Sequence, residues 1–327
     1  MSGIFEFNSF MRRLRISFVA FAASCLIGPA GVRAATLFVS DGVDDVIHRF
    51  DATTGAAITP DIPLLSVMGL ATGPNGDLFA VSQNPPQVYR YNPTTGAQIG
   101  GPYVTYNGQN DGHDVFGPTG MSFAPNGNLY IADTTASNVH VYDTAGNSVA
   151  SMDSPELSQP TDVTFDAAGN LYVVNPGNGN VLISIGGTQP LAEFFATQTG
   201  GLVNPSALTF GPNGELYVLD STTGSGPAIR RYTAAGAADG TVISYASTFF
   251  QPNDIAFGPD AKLYVSGLDL SSNAGQVLRY LPNGTPDGTL IASGPSYPTF
   301  MTFTGVPEPA TLVLMLIASA VLLLQRR

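Results

Sequence analysis

One pattern occurs five times along the chain, at intervals of 42 to 51 residues. Each copy begins with a short segment of alternating large and small residues, passes a turn that most often reads Pro-Asn-Gly, and continues into a segment rich in β-branched and aromatic residues. The aromatic residues that mark this second segment are Phe79, Tyr130, Tyr172, Tyr217 and Tyr264. Because glycine accepts the positive φ of a tight turn, each copy predicts a β-hairpin.

The fifth copy departs from this pattern at its turn. Ala261 stands where the other copies have glycine. An alanine side chain disfavours positive φ, so we expect this turn either to be strained or to be of another type.

Two further strand-like segments follow most hairpins. The third segment ends in an aromatic residue, as in 88–91, 139–142 and 277–280. Four strands in roughly 45 residues, with no helical periodicity, is the pattern of a β-propeller blade.

The two ends of the repeat region complement each other. Residues 299–303 match the first strand of the repeat, while 36–41 and 46–50 match its second and third strands. Joining the fragments makes one whole blade and removes the exposed sheet edge of a linear array. The predicted fold is therefore all-β: a six-bladed propeller over residues 35–305, closed by a blade shared between the termini.

The repeat units resemble NHL repeats. The likeness is most complete over 117–133 and 138–142, and it extends over nearly all of 35–305. It implies a scaffold, a ligand-binding protein or, occasionally, an enzyme, because the fold alone fixes no function. The family usually has an arginine where this chain has His140, so we expect an unused surface position there.

The first 34 residues predict a cleaved signal peptide with a short apolar helix. Arg12, Arg13 and Arg15 form a basic segment, an apolar run covers 16–28, and Val32-Arg33-Ala34 suits a signal peptidase. The alternative is lipidation at Cys25, the only cysteine, although the preceding residues lack the usual leucine.

Residues 306–327 resemble a PEP-CTERM sorting signal. Pro307, Glu308 and Pro309 precede a short apolar segment, predicted to be helical, and Arg326 and Arg327 end the chain. The resemblance implies processing by an exosortase in a Gram-negative bacterium that makes exopolysaccharide. It also implies transient insertion in the inner membrane with the arginines in the cytoplasm. A plain membrane anchor is the alternative.

Charge excludes one class of partner. Six of the twelve basic residues, but only two of the twenty-four acidic ones, lie outside 35–305, which leaves the propeller a net charge of −16. Phosphate backbones would be repelled, so nucleic acid is excluded as a ligand. The carboxylates either keep the surface soluble or collect cations.

The mouth of the central channel is the first candidate site, because inner strands begin there. The polar residues at these positions are Thr119, Thr161, Asp162, Asn253, Asp254 and Thr299. Carboxylates, an amide and hydroxyls around one axis suit a calcium ion, with Asp162 and Asp254 as candidate metal ligands. The alternative is that both aspartates accept hydrogen bonds from loop amides.

A second candidate lies in the longest connection between repeats. There His113 and Asp114 predict either a metal or proton-transfer site, or simply a turn rich in Gly and Asp. Residues 251–254 resemble the metal-binding segment of gluconolactonase-like propellers, but the early glutamate that those enzymes also need is absent.

The remaining titratable residues fit structural roles. His48 and His140 fall in third strands, whereas Asp133 and Asp220 end second strands and are expected to cap turns.

Two functions follow from these observations. The first is an exported, non-catalytic propeller in the periplasm, at the cell surface or outside the cell, which binds exopolysaccharide or an envelope protein. The second is a metal-dependent hydrolase or lyase with a divalent cation in the channel.

Overall fold

A closed ring of six β-sheets forms the body of the protein. The computed structural model describes residues 35–105, 117–188, 190–221, 226–245 and 250–304. Within them lie six four-stranded antiparallel sheets, the blades. The inner strand of each blade contacts the inner strands of both neighbouring blades, so the ring is continuous. The prediction of a six-bladed propeller is confirmed.

The strands are numbered in chain order. Blade 1 contains β4 (Val67–Thr72), β5 (Leu78–Gln83), β6 (Pro86–Tyr91) and β7 (Val104–Thr105). Blade 2 contains β8 (Pro118–Phe123), β9 (Leu129–Asp133), β10 (Asn138–Tyr142) and β11 (Ser148–Met152). Blade 3 contains β12 (Asp162–Phe165), β13 (Leu171–Asn175), β14 (Asn180–Ser184) and β15 (Ala192–Phe195). Blade 4 contains β16 (Pro205–Phe210), β17 (Leu216–Asp220), β18 (Ala228–Tyr232) and β19 (Ala238–Ser244). Blade 5 contains β20 (Phe250–Phe257), β21 (Leu263–Asp269), β22 (Ala274–Tyr280) and β23 (Pro286–Ile291). Blade 6 contains β24 (Pro298–Thr304), β1 (Thr36–Asp41), β2 (Val46–Asp51) and β3 (Ile62–Pro63).

Blade 6 closes the ring with strands from both ends of the repeat region. Its inner strand β24 pairs antiparallel with β1, and Leu37 lies opposite Phe303 and Val39 opposite Met301. All four side chains are buried in one hydrophobic cluster. The predicted closure by a shared blade is therefore present, and it leaves no free edge on β1.

The repeated aromatic residues hold neighbouring blades together. In five interfaces the aromatic residue of a second strand meets a phenylalanine near the end of the next inner strand, with edge-on geometry and ring centroids 4.8–5.0 Å apart. Such pairs add about 0.5–1.5 kcal/mol each beyond the area they bury. In the sixth interface Thr72 replaces the phenylalanine, and its hydroxyl donates to the carbonyl of Phe303 over 2.7 Å.

The turn at Ala261 keeps the conformation of its glycine counterparts. Ala261 has φ of +60°, and Gly76, Gly127 and Gly214 have φ between +78° and +87°. The Ala261 amide donates to the carbonyl of Gly258, the same bond that closes the glycine turns. Of the two expectations for this turn, the strained conformation is the one observed.

The described residues contain little helix. Two short 3₁₀ helices, Ile185–Gly187 and Thr199–Gly201, were not predicted, and each contains glycine at positive φ. No helix in the described part of the chain is long and apolar enough to cross a membrane. The predicted signal peptide and sorting signal lie outside the described residues.

Candidate functional site: the axial cavity and the closure clamp

A cavity of about 280 Å³ lies on the axis of the propeller. Every blade contributes part of its inner strand to the wall. The lining residues are Leu70, Ala71, Thr72, Met121, Ser122, Phe123, Asp162, Val163, Thr164, Leu208, Thr209, Asp254, Ile255, Ala256, Phe300, Met301 and Thr302. The two aspartates are the only charged residues of this wall, so the cavity is electronegative.

Asp162 links blade 3 to blade 4. Its Oδ1 accepts the Val163 amide over 2.9 Å, and its Oδ2 accepts the Leu208 amide of the next inner strand over 3.2 Å. The residue is buried. Burial raises the pKa of the Asp162 carboxyl to about 7, because the two amide hydrogen bonds that favour the charged form do not offset desolvation.

Asp254 repeats this arrangement two blades further on. Its Oδ2 accepts the Met301 amide of blade 6 over 2.7 Å. Burial raises the pKa of Asp254 well above its ordinary value, and the negative charge of Asp162 raises it further. The negative charges of the two carboxylates therefore repel each other, and no residue lining the cavity carries a compensating positive charge.

Glycine on blade 2 makes room for this carboxylate. A Cβ on Gly120 would collide with Oδ1 of Asp162 and with the backbone of Thr161. The Gly120 amide also donates to the Thr161 carbonyl over 2.9 Å. Gly120 stands where blades 3 and 5 have aspartate, so a larger residue there would displace the Asp162 carboxylate.

The other predicted channel residues serve as links between strands and blades. The Thr161 hydroxyl donates to the Ser206 carbonyl over 2.9 Å, and the Asn253 side-chain amide donates to the Pro298 carbonyl over 2.7 Å. The hydroxyl groups of Thr119 and Thr134 are hydrogen-bonded to each other over 3.2 Å. None of these residues lines the cavity.

Thr299 belongs to the closing blade. Its hydroxyl lies 2.8 Å from that of Ser40 in β1. It too is absent from the cavity wall. Of the six predicted channel-mouth residues, the structure brings only Asp162 and Asp254 into the cavity. His113 and Asp114 lie outside the described residues.

The expectation for His140 was wrong in one respect. Its position is not on the surface: His140 is fully buried, with Nε2 3.5 Å from Oδ2 of Asp133. Asp133 Oδ1 accepts the amides of Thr135 and Ala136, so this aspartate caps its turn as predicted. In blade 4 Arg230 donates to Asp220 over 2.7 Å at a comparable place. The third-strand histidine and arginine thus each pair with a buried carboxylate at the end of the second strand.

A clamp at the end of β1 was not predicted. The fully buried Asp41 accepts the amides of Val43 and Asp44 at Oδ1, which caps the turn after β1. Its Oδ2 accepts the amides of Ser296 and Tyr297, which lie just before β24. One side chain therefore ties the N-terminal strand of blade 6 to the segment that leads into its C-terminal strand.

His48 completes this clamp. Its Nε2 lies 3.6 Å from Oδ2 of Asp41, and its Nδ1 lies 3.0 Å from Oδ2 of Asp61. Burial opposes the charged imidazole, but the two carboxylates outweigh it and raise the pKa of His48. Burial likewise opposes the charged form of Asp41, yet hydrogen bonds from His48 and from the amides of Tyr297, Asp44 and Val43 lower its pKa far below the ordinary value.

The clamp also has the spacing of a metal site. Ligand atoms of Asp41, Asp44 and His48 lie within 4.8 Å of one another, the one such trio among the described residues. Both Asp41 oxygens, however, already accept two amides each, and Asp44 accepts the Ser296 hydroxyl over 2.6 Å. The hydrogen bonds account for the cluster as a structural clamp.

The cavity aspartates predict an unusual pH dependence. Their folded pKa values lie above the unfolded value, so the unfolded chain loses these protons first and stability falls as pH rises above about 4. The part of this fall that is due to Asp162 is complete near pH 7. We expect Asp162→Asn to reduce this fall by roughly 2–4 kcal/mol, because it removes one buried charge and relieves Asp254. Denaturant unfolding at several pH values measures how the free energy of unfolding changes with pH.

The exposed Asp153 provides the control for this pH experiment. Asp153→Asn makes the same change of side chain at an exposed position, so it shows what the loss of one surface carboxylate alone does to the melts. If the free energy of unfolding of Asp162→Asn had the same pH dependence as that of the wild type, the cavity carboxylates would not carry a buried charge.

Comparisons with known proteins support the fold alone. No protein-family model and no curated protein matches the chain. Among solved structures, the nidogen/laminin complex matches with a TM-score of 0.64 at 15% identity, over 83% of this chain and 98% of that one. Virginiamycin B lyase from Staphylococcus aureus matches with a TM-score of 0.60 at 16% identity, over 83% and 88% of the two chains. A candidate gluconolactonase matches with a TM-score of 0.54 at 16% identity, over 72% and 80%.

These matches define the class of the protein. It is a six-bladed β-propeller whose structural neighbours are of the NHL-like type. The neighbours include a protein of a binding complex as well as lyases, so this fold is compatible with a binding protein and with an enzyme.

Proposed function

We propose that this chain is an exported, non-catalytic binding propeller that residues 306–327 deliver to an exosortase for sorting at the cell envelope. Its partner is an exopolysaccharide or an envelope protein, bound through the loops at the channel mouth. Cleavage after Ala34 and transient insertion of the C-terminal segment in the inner membrane belong to the same proposal.

The proposal that the propeller is non-catalytic rests on one observation: the polar side chains at the channel mouth are hydrogen-bonded to neighbouring blades. Thr161 and Asn253 donate to backbone carbonyls of the next blade, and Asp162 and Asp254 accept backbone amides of the next blade. These polar groups connect blades, and their replacement would loosen the ring. A catalytic group needs a proton or lone pair directed at a substrate, whereas these serve the scaffold.

The nidogen neighbour offers a parallel for the binding part. That propeller belongs to a complex of two proteins, and it covers nearly the same length of chain. Loops that are already held in place by the ring lose little conformational freedom on binding, which lowers the entropic cost of association.

A metal-dependent hydrolase or lyase is the second candidate. Asp162 and Asp254 face one cavity, and lyases and a candidate gluconolactonase share the fold. Calcium takes six to eight oxygen ligands, so two carboxylates would need hydroxyls such as those of Ser122 and Thr164 or water to complete the shell. When bound, a divalent ion would supply Lewis-acid polarisation of a substrate oxygen.

Metal analysis of the purified propeller, residues 35–305, separates the two candidates. For the binding function we expect less than stoichiometric metal, and a melting temperature that changes by less than about 1 °C with chelator. One tightly held calcium per chain, a chelator-induced fall of several degrees, and loss of both in Asp162→Asn would contradict the non-catalytic proposal.

Export and sorting need a separate experiment. In a Gram-negative host with an exosortase, the full chain should lose its C-terminal segment and become accessible to added protease. Replacing Pro307, Glu308 and Pro309 by alanine should leave the uncleaved chain in the inner membrane. Unchanged cleavage in that variant would contradict the sorting part while leaving the binding part untouched.

A further inference from the structure

Four segments around the closing blade are linked by hydrogen bonds, three of them directly and the fourth through blade 5. The turn 41–45 bonds to the loop 64–66, because the Leu64 amide donates to the Asp45 carbonyl and the Ser66 amide donates to the Asp45 side chain. The same turn bonds to the loop 294–297 through Asp41 and Asp44. That loop bonds to blade 5 through the Gly275 amide and the Pro295 carbonyl. We call residues 41–45, 64–66, 269–273 and 294–297 the closure rim.

The closure rim exposes large apolar side chains. Val43 is 65% exposed, Leu65 54% and Leu270 42%, and each lies in a different loop of the rim. Single exposed apolar residues are ordinary, but Val43 and Leu65 lie in loops joined by hydrogen bonds, and Leu270 lies in the turn before β22, the strand that bonds to the loop 294–297. Together they give the rim apolar area that water solvates poorly. None of the three is needed for the core, since six other clusters fill the spaces between blades.

The rim is acidic and contains no Lys or Arg. Asp44 is exposed, Asp45 and Asp269 are half-buried, and Asp61 lies beside the rim next to His48. Asp269 caps its own turn, which leaves its charge at the surface. The rim therefore presents carboxylates around apolar side chains.

The basic residues of the described propeller are occupied elsewhere. Arg49 donates to the carbonyls of Pro60, Thr94 and Thr95. The other five are paired with carboxylates: Arg90 with Asp77, Arg230 with Asp220, Arg231 with Glu215 and Asp239, Lys262 with Asp260 and Asp287, and Arg279 with Asp287. No rim carboxylate is among these partners. Asp41 is paired with His48, whereas the negative charges of Asp44, Asp45 and Asp269 face no Lys or Arg among the described residues.

This chemistry decides between the two partner classes of the proposed function. An acidic polysaccharide would be repelled by the rim, and a neutral glycan would gain nothing from its charge. A polypeptide segment that combines Leu or Val with Lys or Arg would bury the three apolar side chains and pair with the carboxylates at the edge. We propose that the closure rim docks a basic, apolar-containing segment of a partner protein. This inference rests on the proposed binding function and deepens it.

The test uses the propeller and three short synthetic peptides. One contains leucine and lysine among serines, the second has glutamate in place of lysine, and the third has serine in place of leucine. Fluorescence anisotropy measures their binding. We expect only the leucine-lysine peptide to bind below about 1 mM, and its affinity to fall about tenfold when salt is raised to roughly 0.5 M.

Variants locate the binding on the rim. Val43→Ser, Leu65→Ser and Leu270→Ser together should weaken the leucine-lysine peptide at least about tenfold. The matched control replaces three exposed apolar residues outside the rim, Val149→Ser, Ile185→Ser and Leu281→Ser, and should change affinity less than twofold. All six positions are exposed, so both variants should melt like the wild type.

Three outcomes would overturn the inference. They are equal binding of the leucine-glutamate peptide, equal weakening by the rim and control variants, and no binding of the leucine-lysine peptide up to about 1 mM. The proposed function would survive any of them, since it fails on metal content and not on the identity of the docked segment.

Discussion

Replacing Asp41 by alanine is expected to lower the free energy of unfolding by about 3–5 kcal/mol. The side chain is fully buried and accepts four backbone amides, two in its own turn and two in the segment before β24. Alanine would leave these donors without their acceptor, and it would leave His48 with Asp61 as its remaining carboxylate. For a domain of this size the melting temperature should fall by roughly 10 °C.

Asp269 supplies the matched control. It caps the corresponding turn of blade 5 through the Ser271 amide, but its hydrogen bonds stay within that blade. Asp269→Ala should therefore lose about 1 kcal/mol. Chemical denaturation of both variants gives the comparison, and equal losses would show that the bonds from Asp41 to the C-terminal segment contribute nothing to stability.

Removing β24 is expected to abolish cooperative folding. Met301 and Phe303 are buried, and each contributes about 1.5–3 kcal/mol by burial alone. Without β24 the strand β1 also loses its partner along one side, Asp254 loses the Met301 amide, and Tyr264 loses its contact with Phe303. These losses together approach the whole stability of an ordinary domain.

Two truncations test this expectation. A chain that stops after Tyr297 should aggregate or show no cooperative melt, whereas a chain that stops after Gly305 should melt like the full-length protein. Circular dichroism and size-exclusion chromatography distinguish the outcomes. A cooperative melt of the shorter chain would mean that the ring is stable when open.

The sequence pattern was sufficient for the architecture because the repeat is carried by packing. The second-strand aromatic residue and the inner-strand phenylalanine meet in five of six interfaces, so the spacing seen in the sequence is the spacing of the blades. The matching end fragments likewise predicted the shared blade. In the sixth interface Thr72 stands in place of phenylalanine. Its position was visible in the sequence, but its hydrogen bond was not, because that bond depends on the distance between β4 and β24.

The candidate site was predicted less completely. Asp162 and Asp254 lie one position further along the chain than Thr161 and Asn253, and the wall of the cavity begins in both blades at the aspartate. The sequence placed both sets at the channel mouth, but only the aspartates line the cavity. Their dual role, facing the cavity while holding the next blade, depends on the separation of neighbouring inner strands.

The clamp at Asp41 was missed for a physical reason. In sequence it is one of several aspartates that end a second strand, like Asp133 and Asp220. Its distinction comes from Ser296 and Tyr297, more than 250 residues away, which reach it only when the ring closes. One signal in the sequence was available: Asp41 is the turn-capping aspartate of β1, and β1 is the strand predicted to pair with the C-terminal strand.

The pairing of β1 with β24 is tested most directly by a cross-link. Thr36 and Thr304 lie opposite each other in that pair, and a chain beginning at Ala35 has no native cysteine. In such a chain we expect Thr36→Cys with Thr304→Cys to form a disulfide under mild oxidation, detected by mass and by faster migration on a non-reducing gel. Thr36→Cys with Thr241→Cys, which places the second cysteine on the outer strand of blade 4, should remain reduced. Failure of the first pair to cross-link in the folded protein, or equal cross-linking of both pairs, would contradict a propeller closed by its own two ends.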